Sequence, residues 1–259
     1  MSQQPAPSPA FNTSAADRRA ESARLGQLLL EELGKGRAPQ ADAALLADLL
    51  ARGASVNEVN THGQSALMVA IHYEHTDIAE KILAAGASIH ARDHQDNTPL
   101  VWCGYTGNEK IALALLRAGA RIDDCNSISR SVLTQAASRG HDDFLTAVIG
   151  WGCDANHIDK RGDTPLCTAA AAGRKSTCLA LITAGANPVK TNRSGKTPAT
   201  VARDARYTTV ADAIEKTIEE CRERILNDDI RQITDGLHED IAIKRVNIKA
   251  LRKRPAPRK

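Results

Sequence analysis

The sequence predicts an all-α solenoid of helix-turn-helix units joined by β-turn or hairpin loops, with a helical cap at each end. Three observations predict it. A Ser- or Thr-led tetrad recurs every 33 residues, as SALM at Ser65, TPLV at Thr98, SVLT at Ser131, TPLC at Thr164 and TPAT at Thr197. A glycine followed by a small residue keeps the same step at Gly53, Gly86, Gly119, Gly152 and Gly185, with no insertion or deletion. Aromatic residues are only 3% of the 259, so one globular core of this size would lack its usual bulky filling, whereas thin helical layers packed through Ala, Leu and Ile would not.

Taken in order, residues 1–16 are rich in Ser, Pro, Gln and Ala without an apolar run, and predict a disordered leader and no signal peptide. Residues 17–52 predict two amphipathic helices, the first carrying Leu25, Leu28, Leu29 and Leu33, the second Leu45, Leu46, Leu49 and Leu50. They read as a divergent capping repeat whose polar outer face shields the first apolar layer from water. Residues 53–207 hold the regular units. The Ser or Thr that opens each tetrad suits an N-cap, because its hydroxyl can accept a backbone N–H. Pro99, Pro165 and Pro198 follow at the first helical position, where no N–H is needed. Gly107, Gly140 and Gly173 end each first helix, and the Gly53 series ends each second helix, in a left-handed conformation. Ile78, Ile82 and Leu83, and Ile111, Leu115 and Leu116, mark one buried stripe on the second helices. A fourth series, Asn60, Asp93, Asn126, Asp159 and Asn192, keeps the same period.

Residues 208–226 predict an extended C-terminal capping helix, because Ile218 stands where a closing glycine is due. Residues 227–259 carry Ile230, Ile233, Leu237, Ile241, Ile243, Val246, Ile248 and Leu251 with mixed spacing, which leaves packing on the cap and disorder both open. Their end is a basic tail, Lys244, Arg245, Lys249, Arg252, Lys253, Arg254, Arg258 and Lys259, without an acidic residue from Lys244 onward. Such a run serves as a nuclear-localisation signal, an anionic-surface contact, a basic secretion signal or a solvated end.

These tetrads, the Gly-Ala pairs and the period of 33 resemble the ankyrin-repeat family over about Arg52 to Tyr207. The resemblance implies an ankyrin-repeat solenoid that serves as a binding scaffold. The sequence departs from the family where the His of TPLH is replaced by Met68, Val101, Thr134, Cys167 or Thr200. Ser129 and Val132 stand where the family turn has Gly and Pro, so the third unit is expected to be the least stable interior one; Asp96 likewise replaces the turn Gly.

The resemblance further implies that a partner docks on the concave face made by turn tips and the exposed side of each first helix. Carried over by the step of 33, His62, His72, Tyr73, His94, Trp102 and Tyr105 fall on that face in the first two units. Exposed Tyr and Trp dominate binding energy at interfaces, although Trp102 also suits packing between adjacent first helices. Arg130, Arg139, Lys160, Arg161, Arg193 and Lys196 form a basic series in the later units, which would steer an acidic partner or simply face solvent. The expected partner is another protein, engaged by a monomeric adaptor, scaffold or inhibitor. The alternatives are a nucleic-acid or anionic-surface factor using the basic residues, and a bacterial effector exported to engage a host protein.

Enzyme classes find no support in the chain. The GKT at Gly195–Thr197 lacks the upstream glycine of a phosphate loop, and no GxGxxG occurs. His72 and His75 in HYEH are three apart and lack the HExxH pattern, so no metal is expected. The six cysteines form no CxxC pair and read as small buried residues in a reducing compartment. No cofactor and no membrane span is expected, and a net charge of +3 does not mark a dedicated nucleic-acid binder. The expected location is cytoplasmic, with a nuclear or secreted destination as the alternatives.

Overall fold

A computed structural model describes residues 14–35 and 43–224. Helices α1 (Ala15–Leu33) and α2 (Ala43–Ala51) precede four hairpins: α3 (Ala66–His72) with α4 (Thr76–Ala84), α5 (Pro99–Thr106) with α6 (Glu109–Arg117), α7 (Val132–Arg139) with α8 (Asp142–Gly150), and α9 (Pro165–Ala171) with α10 (Lys175–Thr183). Helix α11 (Pro198–Asp204) is followed by α12 over residues 208–224. The first helices α1, α3, α5, α7, α9 and α11 stack into one row and α2, α4, α6, α8 and α10 into a second. The first row is packed more closely, so the array curves with that row on its concave side.

Helix α1 starts inside the span assigned to the leader. The Ser14 hydroxyl accepts from the Asp17 N–H at 3.1 Å and the Asp17 carboxylate accepts from the Ser14 N–H at 3.0 Å, a reciprocal cap that places the boundary at Ser14. Residues 1–13, and the basic tail from Lys244 to Lys259, lie outside the described residues. The α1–α2 pair joins both rows, α1 against α3 and α2 against α4. Gly26 permits a close approach to the loop after α2, since a Cβ there would lie 2.4 Å from the Ser55 carbonyl oxygen.

Each recurring residue type has one job. The hydroxyls of Ser65, Thr98, Ser131, Thr164 and Thr197 all accept from the N–H three residues on, capping the first-row helices. Asn60, Asp93, Asn126, Asp159 and Asn192 each turn one side-chain oxygen onto the N–H groups two and four residues ahead, which closes every turn. Backbone bonds then tie turn to turn: His94 N–H to His62 O, Ser127 N–H to Gln95 O, Lys160 N–H to Ile128 O and Arg193 N–H to Arg161 O. Isolated antiparallel bridges at Val59–Ser65 and Cys125–Ser131 give two of these turns a hairpin base.

Of the residues replacing the family histidine, Met68, Val101, Thr134 and Cys167 are buried and Thr200 is exposed, and the hydroxyls of Thr134 and Thr200 bond those of the capping Ser131 and Thr197. Cys103, Cys153, Cys167 and Cys178 are buried as expected, but Cys125 and Cys221 are half-exposed. Cys125 sits in a turn, where its Sγ lies 3.4 Å from His157 Nε2, and not on a helix face turned inward.

Candidate functional site

The turn slot occupied by Gly63, Gly162 and Gly195 has positive φ, and Asp96 (φ 60°) and Ser129 (φ 61°) hold the same conformation with a side chain attached. A left-handed non-glycine residue costs about 1–2 kcal/mol. Both strained residues lie in the turns leading to α5 and α7, the two helices that bear the most varied surface of the first row.

Helix α5 carries Trp102 and Tyr105 one turn apart on that surface, and α3 brings His72 and Tyr73 beside them. The rings form a contiguous group: His72 to Tyr73 at 4.7 Å, His72 to Trp102 at 5.0 Å and Trp102 to Tyr105 at 5.5 Å, all near edge-to-face, the preferred geometry for aromatic pairs. All four side chains are half-buried. From α7, Arg139 places its guanidinium carbon 3.9 Å from the centre of the Tyr105 ring. Trp102 is half-buried. Its ring lines the concave surface, yet its indole N–H donates to Asp93 Oδ2 at 3.0 Å, and Asp93 is buried.

Between α5 and α7 lies a trough of about 440 Å³ whose walls include Trp102, Tyr105, Ile128, Gln135, Arg139 and Arg174. Arg130 also lines it, and among the described residues no carboxylate does. At one end it meets a second hollow shared by Tyr105, Arg139, Arg174, His72, Tyr73 and Glu74. His62 and His94 sit apart at the turn tips and share a third hollow with Trp102, with His94 packed over Gly63.

The structure brings His72, Tyr73, Trp102, Tyr105 and Arg139 together and distributes the other basic residues. Arg130 Nε lies 3.7 Å from the buried Asp159 carboxylate, and Lys196 pairs with Asp204 at 2.6 Å. Lys160, Arg161 and Arg193 are exposed on successive turn tips. The basic series is therefore not one uncompensated stripe, because two of its six members already answer a carboxylate of the chain.

Arg174 was missed by the sequence reading, although its signal was there. It follows Gly173 and belongs to a fifth series of step 33: His75, Asn108, His141, Arg174 and Tyr207. Members of this series lie over the left-handed glycine of the preceding unit, so that a Cβ on Gly107 would meet the His141 ring at 2.8 Å and one on Gly173 the Tyr207 ring at 2.7 Å. On Gly140 it is the Arg174 stem, with Cδ 3.1 Å from the same point, which leads the guanidinium toward the trough.

Burial pushes the Cys153 and Cys178 thiols up to about 12 and raises that of Cys103 further, so none of the three offers a thiolate nucleophile at neutral pH. Among the described residues no three His, Cys, Asp or Glu side chains are grouped to hold a metal, and no helix is long and apolar enough to cross a membrane. A sequence model described as ankyrin repeats (3 copies) matches residues 38–126 and 133–221. No curated protein matches the chain.

Proposed function

Because the chain belongs to the ankyrin-repeat family, whose members generally mediate protein–protein interaction, we propose that it captures a partner protein on its concave face as an adaptor, scaffold or inhibitor. The observation that carries this reading is the aromatic group of His72, Tyr73, Trp102 and Tyr105, half-buried on the first-row surface and joined by Arg139. Large, rigid side chains already held by neighbours lose little rotamer entropy on binding, which is why Tyr, Trp and Arg dominate interface energy. His62 and His94 extend the surface to the turn tips, and Lys160, Arg161 and Arg193, exposed while Arg130 and Lys196 pair with carboxylates of the chain, favour a partner of acidic character.

The test is affinity capture from cell lysate with the full chain, followed by a binary binding assay with the protein retained. The expected result is loss of that protein on joint Tyr73→Ala and Tyr105→Ala substitution with the circular dichroism spectrum intact. Trp102 is left alone, since removing its indole would strip a partner from buried Asp93 and confound folding with binding. Retention by the Tyr variant, with loss when Lys249, Arg252, Lys253 and Arg254 are changed to Gln, would instead place binding in the tail and favour an anionic or nucleic-acid partner.

A further inference from the structure

The trough between α5 and α7 differs from the rest of the concave face in chemistry, and resting on the reading above it narrows what the partner presents there. Among the described residues its lining holds Arg130, Arg139 and Arg174 and no carboxylate, alongside the apolar surfaces of Trp102, Tyr105 and Ile128, the last 44% exposed. The two outer arginines are held in place before any ligand arrives. The Arg139 guanidinium lies over the Tyr105 ring, a cation–π contact that engages its face and consumes none of its N–H donors. Packing of the Arg174 stem across Gly140 brings its head to the same trough. Of the carboxylates nearby, Asp159 is buried beside Arg130, Asp93 accepts the Trp102 indole N–H, Asp142 accepts the Thr177 hydroxyl, and Glu74 lines the adjoining hollow and not the trough. Arg139 and Arg174 border both hollows, so the positive charge is continuous along the path between α5 and α7.

We propose that this trough receives a short acidic peptide segment of the partner, with two carboxylates meeting Arg139 and Arg174 and an intervening apolar side chain seated against Trp102, Tyr105 and Ile128. Preordered guanidinium forks take carboxylates two N–H bonds at a time, and the spacing of charge around an apolar floor selects acidic-apolar patterns over purely acidic ones.

The probe is a set of acetylated, amidated hexapeptides of Glu and Leu in every order, titrated into the full chain by NMR beside matched sets with Gln or Lys in place of Glu. The expected result is movement of the Trp102 indole N–H and the Arg139 and Arg174 Nε–H signals with the Glu set alone. Affinity should fall about tenfold in Arg139→Gln and in Arg174→Gln, as for loss of one charge-assisted bidentate contact, and stay unchanged in Lys110→Gln, whose ammonium pairs with Glu80 on the second row. Equal movement with the Gln set, no movement with the Glu set, or binding that survives the double Arg variant would each overturn the proposal. So would equal displacement of the peptide by inorganic phosphate at matched ionic strength, which would mark a small-anion site. A partner protein kept by the double Arg variant but lost with Tyr73→Ala and Tyr105→Ala would leave the concave-face reading intact and remove only this inference.

Discussion

The turns ahead of α5 and α7 and those ahead of α9 and α11 follow one plan and diverge in what fills it. Ahead of α9 and α11 the left-handed slot holds Gly162 and Gly195, and Pro165 and Pro198 open the helices. Ahead of α5 and α7 the slot holds Asp96 and Ser129 under strain, and α7 opens with Val132. The surfaces diverge in the same places. Helix α9 shows Thr168, Ala171 and Ala172 where α5 and α7 show Trp102, Tyr105, Gln135 and Arg139. Positions that repeat build the scaffold, and departures from the repeat gather where the surface is specialised, a pattern expected when stability is given up locally for recognition.

The sharpest way to break this comparison is to fill the closest helix contact in the specialised half. A Cβ on Gly104 of α5 would lie 2.3 Å from the Val132 carbonyl oxygen of α7, which only a backbone shift can relieve. Gly104→Ala is expected to destabilise by about 2 kcal/mol or more, as overpacking a tight contact does, read from urea unfolding. At Ala170, the position two units on, a methyl is already accommodated; a neutral Gly104→Ala would mean that the α5–α7 step is no tighter than the rest.

Next in size is the Asp93–Trp102 pair, which ties the aromatic group to the turn scaffold. Asp93→Asn keeps an oxygen for the Gln95 and Asn97 N–H groups but sets an amide against the indole donor. A loss of about 1–3 kcal/mol is expected for one unsatisfied buried group, with a double-mutant cycle against Trp102→Phe recovering much of it. Additive losses would show that the two residues act separately.

Smaller effects come from the strained slots. Ser129→Gly and Asp96→Gly should each raise stability by up to about 1 kcal/mol through relief of the left-handed conformation, whereas Gly162→Ser should lower it, because its side chain would also meet the Arg193 backbone nitrogen at 2.8 Å. A higher melting temperature for Gly162→Ser would undo the contrast between the halves.

The least change in free energy, and the finest resolution, comes from thiol labelling at pH 8. Cys125 and Cys221 should react in the native chain while Cys103, Cys153, Cys167 and Cys178 wait for opening, and Cys153 beside the third unit should label faster than Cys178. For Cys153 and Cys178 the folded value near 12 lies above the ordinary 9.0. The stabilisation from keeping these thiols protonated is therefore complete below that ordinary value and is lost as pH rises toward 12.

Much of this architecture was legible in the sequence because its causes are local. A capping hydroxyl, an Asx oxygen closing a turn and a left-handed glycine act within a few residues, so a fixed step exposed them all. Trp102 was visible as a candidate, but not its bond to Asp93, since the recurrence of Asn or Asp at that position tells of the turn and not of a ring reaching back to it. Arg174 was overlooked because it sits where its series elsewhere places His, Asn or Tyr, and its role arises from lying across the glycine of another unit. The pairing of Arg130 with Asp159 and of Lys196 with Asp204 depends on side-chain direction, which the period does not specify.

The most direct test is hydrogen–deuterium exchange of the full chain with and without its captured protein partner. Binding on the concave face predicts slowed exchange in residues 98–106 and 131–141, around α5 and α7, with α6 and α8 little changed. Protection confined to the second-row helices, with α5 and α7 exchanging as in the unbound chain, would contradict it.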